Sequence, residues 1–186
     1  MKKVLLSGFG PFLDIKDNPS ESIVTQLARD FQSPFIILPV VFGKSFEVLK
    51  EKALLEKPDI ILMFGVAATR STICLERIGL NWVESKNADT SVSTPVTGKI
   101  VVNQELALMS SYNVEKVISE FDFNERKLVE VSYSAGTYVC NDLYFRMLNE
   151  KQISAEKLFI HIPPYEKIEL QQQIELLSKV VKNAMD

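Results

Sequence analysis

The chain holds a single histidine, His161, and that scarcity is decisive. No site that needs two histidines can be assembled within one chain, and any Cys–His pair must use this one. Cysteine is nearly as rare, with Cys74 and Cys140 alone. Two cysteines so far apart suggest neither a disulfide framework nor a zinc site, and a reduced cytoplasm is the expected location. Positive charge is not in excess: 21 Lys and Arg stand against 24 Asp and Glu, for a net charge of -3. There is no basic stripe, which argues against a nucleic-acid partner. No run approaches the roughly 20 apolar residues that span a bilayer, so no membrane partner is expected. The basic start at Lys2 and Lys3 leads into an apolar run that breaks at Gly8-Phe9-Gly10-Pro11, too early for a secretory signal. Glycine is sparse, and no glycine loop carries a lysine, which disfavours a phosphate- or nucleoside-binding enzyme. Repeats, heptads, low-complexity tracts and linkers are all missing, so one domain over 1–186 is expected.

What is present is an ordinary globular composition, 46% apolar and 24% charged over 186 residues, enough for a sizeable core. The stretches 2–7, 34–42 and 60–64 are continuous apolar runs and read as buried strands. Amphipathic helices are expected between them. One begins near Asn18-Pro19-Ser20, with Ser20 as a cap. Another covers 43–57, with Phe46, Leu49, Ala53 and Leu54 on its inner face. Such alternation predicts an α/β domain whose mostly parallel sheet is covered on both faces. Further on, 83–99 reads as a long polar loop and 100–102 as a short strand. A helical pattern within 106–121 surrounds Val114, Val117, Ile118 and Phe121, and a last amphipathic helix falls within 165–185. In such folds the active groups lie outside the carboxyl ends of the strands. The turns after the strands, at 8–12, 65–70 and 134–140, should therefore meet at one edge.

Three residues in this frame could carry chemistry. The stretch 127–150 reads strand, tight turn, helix. The strand is rich in Val and Tyr, Gly136 permits the turn, and Val139, Leu143 and Met147 then recur at helical spacing. Cys140 falls in the first turn of that helix, where unpaired N–H groups and the helix dipole favour a thiolate. It is either a small buried hydrophobe or a nucleophile. His161 ends an apolar strand, 157–164, and is either a satisfied core residue or a base. In 72–82, read with period two, Cys74, Glu76, Ile78, Leu80 and Trp82 share one face. Glu76 is then either part of a solvent-facing pair with Arg77 or a buried carboxylate that orients the one histidine. Cys74 reads as packing.

Four blocks, taken together, resemble the pyroglutamyl peptidase type I family of cysteine peptidases. They are Gly8-Phe9-Gly10-Pro11-Phe12 followed by Asn18-Pro19-Ser20; 65–81, which contains Glu76-Arg77 and ends in Asn81; 132–141, around Cys140; and 159–163, Phe-Ile-His-Ile-Pro. The resemblance covers most of the chain. It implies a three-layer α/β/α domain of the phosphorylase/hydrolase-like kind with a mixed, mostly parallel sheet, a homotetramer, and removal of an N-terminal pyroglutamyl residue from small peptides without metal or other cofactor. It implies Cys140 as nucleophile, His161 as its base and Glu76 as the residue orienting the histidine. Phe9, Phe12, Tyr138 and Val139 would wall the substrate site, with Asn18 nearby. A lactam is flat and uncharged, and aromatic faces suit it. The chain departs from the family at Gly10, where Glu or Asp is usual, at Leu13 and Asp14, where two glycines are usual, and at Val66, where Gln is usual. The loop that reads A-R-I-P-D-N in the family is here Lys86-Asn87 within 85–90, and Lys86 cannot make the two-pronged contact of an arginine. The alternatives are a thiol hydrolase of a related lactam or N-blocked amide, and a catalytically weak binding homologue.

Overall fold

The structure is a computed structural model that describes residues 1–12 and 18–186; Leu13 and Asp14 lie outside the described residues. The elements in order are β1 (Val4–Phe9), α1 (Pro19–Asp30), β2 (Phe35–Leu38), α2 (Lys44–Glu56), β3 (Ile60–Val66), β4 (Ile73–Glu76), β5 (Ile78–Leu80), β6 (Ala107–Met109), α3 (Val114–Ser119), β7 (Val129–Ser132), α4 (Val139–Asn149), β8 (Glu156–Ile162) and α5 (Leu170–Met185). Six strands form one sheet in the order β2-β1-β3-β8-β4-β7. The pairs β1–β2, β1–β3, β3–β8 and β4–β7 are parallel, while β4 meets β8 antiparallel. The expected mixed, mostly parallel sheet is therefore present.

The continuous apolar runs explain the layers. Successive side chains of a strand point to opposite faces, so an all-apolar strand needs cover on both. Val4 and Leu6 of β1 join Leu62 and Phe64 of β3 against Ile23 and Leu27 of α1 and Leu177 and Val181 of α5. Leu5 and Phe9, with Ile61, Met63 and Phe159, face Leu49 and Ala53 of α2 and Val139, Leu143 and Met147 of α4.

Several local expectations are corrected. Asn18, not Ser20, caps α1, accepting from the Ser20 N–H at 3.0 Å. Pro19 occupies the first helical position, which moves the cap one residue earlier than Pro. The Ser20 hydroxyl instead holds the backbone of Phe9, accepting from its N–H at 2.9 Å. The α1 end lies so close to β1 that a Cβ on Gly8 would stand 2.6 Å from the Ser20 carbonyl oxygen. Leu54 is 41% exposed because the inner face of α2 is centred on Ser45, Leu49 and Ala53. The predicted strand at 100–102 is absent, since the buried Asn81 amide takes its place as partner. Asn81 donates to the Val101 carbonyl and accepts from the Val101 N–H, both at 2.8 Å. The strand of that region is β6, which pairs antiparallel with β5, so only 114–119 of the predicted helical stretch is helix. The period-two reading of 72–82 also breaks. The chain leaves the main sheet after Glu76, and Trp82 is 40% exposed.

Candidate active site

The site lies where two strands part. Strand β1 follows β3 only as far as Ser7 and Met63, then continues along β2 to Phe9 and Leu38. Strand β3 continues along β8 to Val66 and Ile162. A crevice opens at the carboxyl ends, as expected for parallel strands. A small apolar cavity of about 40 Å³ occupies it, lined by Phe9, Phe12, Asn18, Val40, Val66, Tyr138 and Cys140.

Helix α4 delivers Cys140 to this crevice. Its cap residue, Tyr138, makes no side-chain capping bond, so the first N–H groups of the helix have no side-chain partner at that position. The preceding turn uses Gly136 at φ 78°, a conformation that favours glycine. The sulfur rests over Gly65: a Cβ there would stand 2.9 Å from Sγ. Gly65 is in register with His161 on the neighbouring strand, and registered residues of adjacent strands lie about 5 Å apart. Cys140 and His161 are thereby neighbours across one strand spacing. Burial, with the Glu76 charge, pushes the Cys140 thiol up to about 12, against the pull of the backbone N–H at the helix start. Desolvation and the helix terminus thus act on the sulfur in opposite directions.

His161 and Glu76 form the pair the sequence left open. Both are buried, and His161 Nδ1 lies 2.7 Å from Glu76 Oε1. An ionised carboxylate only accepts, so Nδ1 carries the proton and Nε2 is left as the basic nitrogen. The two residues sit diagonally across the antiparallel pair, where Cys74 opposes His161 and Glu76 opposes Phe159. The Phe159 ring stacks 4.8 Å from the imidazole. The solvent-facing Glu76–Arg77 pair is overturned: Arg77 binds Glu115 at 2.7 Å. Cys74 is buried, as the packing reading expected.

Of the residues assigned to the substrate walls, Phe9, Phe12, Asn18 and Tyr138 line the cavity and Val139 does not. Val139 is fully buried, because it shares the inward face of α4 with Leu143. Asn18 also ties the first turn to α1, donating to the Gly10 carbonyl at 2.8 Å. The polar stretch 83–99 is fastened to both walls. Tyr138 donates its hydroxyl to the Ala88 carbonyl at 2.8 Å, and Thr90 donates to the Val40 carbonyl at 3.0 Å. Lys86 and Asn87 are exposed. Sequence reasoning missed Val40 and Arg70. Nothing distinguishes Val40 within its apolar run. Arg70 carried a signal, since a buried carboxylate calls for a cation; its guanidinium lies 3.0 Å from Glu76 Oε1.

Residues 2–180 match the family model for pyroglutamyl peptidase. Pyrrolidone-carboxylate peptidase of Thermosipho africanus is 36% identical over 167 residues, which cover 87% of this chain and 81% of that protein. The enzyme of the same description from Bacillus velezensis is 33% identical, covering 98% and 90%. The crystal structure of Bacillus amyloliquefaciens pyroglutamyl peptidase I superposes with a TM-score of 0.87 at 30% identity, covering 96% of this chain and 94% of that one. Pyrrolidone carboxyl peptidase from Fervidobacterium islandicum gives 0.89 at 30% identity, covering 99% and 98%. With relatives of this similarity along nearly its whole length, the chain belongs to the pyroglutamyl peptidase family of cysteine peptidases.

Proposed function

We propose that this protein removes an N-terminal pyroglutamyl residue from peptides through a thioester on Cys140. The observation that carries this reading is the 2.7 Å contact of His161 with Glu76, next to a cysteine that borders an apolar cavity. The lactam ring enters the cavity against Phe9, Phe12 and Tyr138. His161 Nε2 takes the thiol proton as Sγ attacks the pyroglutamyl carbonyl carbon. The oxyanion is held by backbone N–H groups at the start of α4. When the C–N bond breaks, the imidazolium gives its proton to the leaving amine, and the thioester remains. His161 then takes a proton from water, whose oxygen attacks the thioester and releases pyroglutamate and the thiol. Glu76 keeps Nδ1 protonated and stabilises the imidazolium. The upward push of burial on the thiol suits transfer of its proton to His161 as the sulfur attacks.

The test is release of a fluorogenic leaving group from a pyroglutamyl amide, wild type beside Cys140→Ser. The substitution should lower turnover by about three orders of magnitude or more. Absence of turnover by reduced, folded wild type would refute the substrate assignment. A second reading, hydrolysis of a related lactam or N-blocked amide, is favoured by Val66, which gives the cavity an apolar side chain. Faster turnover of such an amide than of the pyroglutamyl one would select it.

We also read the chain as one domain that acts as a cytoplasmic homotetramer. Cys74 and Cys140 are both unpaired, which suits a reduced compartment, and Leu106 and Met109, on and beside β6, are exposed and suit a contact with another copy. Light scattering in solution tests the assembly, and a monomeric mass would overturn it.

A further inference from the structure

We propose that Arg70 is a positioning residue for the triad, fixing the Glu76 carboxylate and the segment that leads to Cys140 with one guanidinium. This rests on the reading of Cys140, His161 and Glu76 given above. The geometry is specific. Nη1 of Arg70 lies 3.0 Å from Glu76 Oε1 and donates to Ser132 Oγ at 3.0 Å, while Nη2 donates to the Ser134 carbonyl at 2.7 Å. Ser132 ends β7, and Ser134 lies on the crossing to α4. Arginine suits this because its donors are held in a rigid plane and can serve several acceptors at once.

The carboxylate gives the contact its importance. Glu76 is fully buried, and a buried charge is costly unless paired. His161 is a cation only when protonated, so at rest Arg70 is the permanent partner. Both contact the same oxygen, Oε1, and Oε2 has no hydrogen-bond partner among the described residues. Arg70 therefore sets the rotation of the carboxylate that His161 must meet. Among the described residues, the titratable groups around this point are few. His161 faces it from β8 and Cys140 from α4, while Cys74 on β4 and Glu130 on β7 lie near the guanidinium. Tyr144 of α4 donates to the Glu76 backbone carbonyl at 2.7 Å, and Arg77 is turned away to Glu115.

Removing the guanidinium has a definite electrostatic sign. A fixed positive charge beside the carboxylate–imidazole pair opposes proton uptake by that pair. Without it, protonation occurs at higher pH, and the acid limb of activity moves upward. The experiment compares Arg70→Gln and Arg70→Lys with wild type in two assays: hydrolysis of a pyroglutamyl amide, and alkylation of Cys140 by iodoacetamide as a function of pH. Arg70→Gln should lower kcat by on the order of 10- to 100-fold with little change in KM. Its acid limb should move to higher pH in both assays. Arg70→Lys should recover the limb, since it restores the charge, and only part of kcat, since it lacks the fork. Alkylation needs no peptide, so it reports on Arg70 even if wild type does not cleave the amide. Should Arg70→Gln fail to fold, Arg70→Lys alone decides, by its kcat against its pH profile. A lower melting temperature with unchanged kcat and unmoved limb would overturn the proposal and leave Arg70 a structural tie.

Discussion

Gly65→Ala puts the placement of the nucleophile to a direct test. The added Cβ would stand 2.9 Å from Cys140 Sγ, 2.8 Å from Phe159 Cζ and 3.2 Å from Phe159 Cε1. The first two lie inside the separations that packed side chains tolerate, so something must shift. If the sulfur rotates away, it leaves its place beside His161. If the Phe159 ring moves, it presses on the imidazole 4.8 Å away and on the Tyr144 ring 5.7 Å away. Phe159 has no exposed surface through which to relax. Overpacking of this kind costs about 1–3 kcal/mol, or a fall of about 3–10 °C in Tm for a chain of this size. A misplaced nucleophile should lower kcat by about 10- to 100-fold. The assay pairs amide hydrolysis with thermal unfolding and iodoacetamide alkylation. Gly10→Ala serves as a stability control, since its Cβ would meet Ile37 Cγ2 at an ordinary 3.6 Å. Wild-type Tm and kcat in Gly65→Ala would show that the sulfur does not lie over this glycine, and the neighbour relation of Cys140 and His161 would fall with it.

Three further outcomes follow from the same contacts. Glu76→Gln should lower kcat by about 10²- to 10⁴-fold while circular dichroism shows an intact fold, because an amide can present its N–H to the imidazole and select the wrong tautomer; kcat within threefold of wild type would remove Glu76 from the mechanism. A thiol held up to about 12 binds its proton more tightly in the folded than in the unfolded chain. Its contribution to stability is therefore complete below the ordinary thiol range and is lost as pH rises from about 9 towards 12. Tm should fall less steeply over that window in Cys140→Ser than in wild type, and equal slopes would contradict the assigned burial. Asn18→Ala removes the α1 cap, worth about 1 kcal/mol, together with the tie to Gly10; calorimetry should show the loss, and KM should rise more than kcat falls, since the Phe9–Phe12 wall is loosened rather than the triad.

Strands buried on both faces were the most legible elements, because their signal is local. β3 is apolar throughout, and β1 and β8 each carry an apolar run, Val4–Leu6 and Leu158–Ile160. Cys140, Glu76 and His161 could be singled out for the same kind of reason: each is a polar or reactive group in a setting that makes it unusual. Strand direction was not legible. Nothing in Ile73–Glu76 or Val129–Ser132 states that these strands run against β8. The carboxyl-end rule consequently covers the turns after β1 and β3 but not the one after β7, which reaches the crevice only by the crossing 133–138. The 100–109 region failed for another reason. Local β-propensity favoured Ile100-Val101-Val102, but the buried Asn81 amide captured the Val101 backbone, and packing of β6 under α4 decided which segment became strand.

The reversed strand has a consequence for the chemistry. Strand β8 runs toward the crevice, so His161 lies near its mouth and Phe159 one layer deeper. Because β4 runs the other way, its last residue, Glu76, is level with Phe159. The carboxylate thus approaches the imidazole from beneath, at full burial. A carboxylate at the end of a parallel strand would instead emerge at the mouth beside His161, in water. There its charge would be screened, and its hold on Nδ1 would be worth little. Burial makes the interaction strong but requires a standing counter-charge, which the imidazole supplies only after it has taken the thiol proton. Arg70 fills the interval: it precedes β4, enters from the mouth side, and reaches the same oxygen from a half-buried position. One antiparallel strand therefore accounts for both the deep carboxylate and the arginine above it.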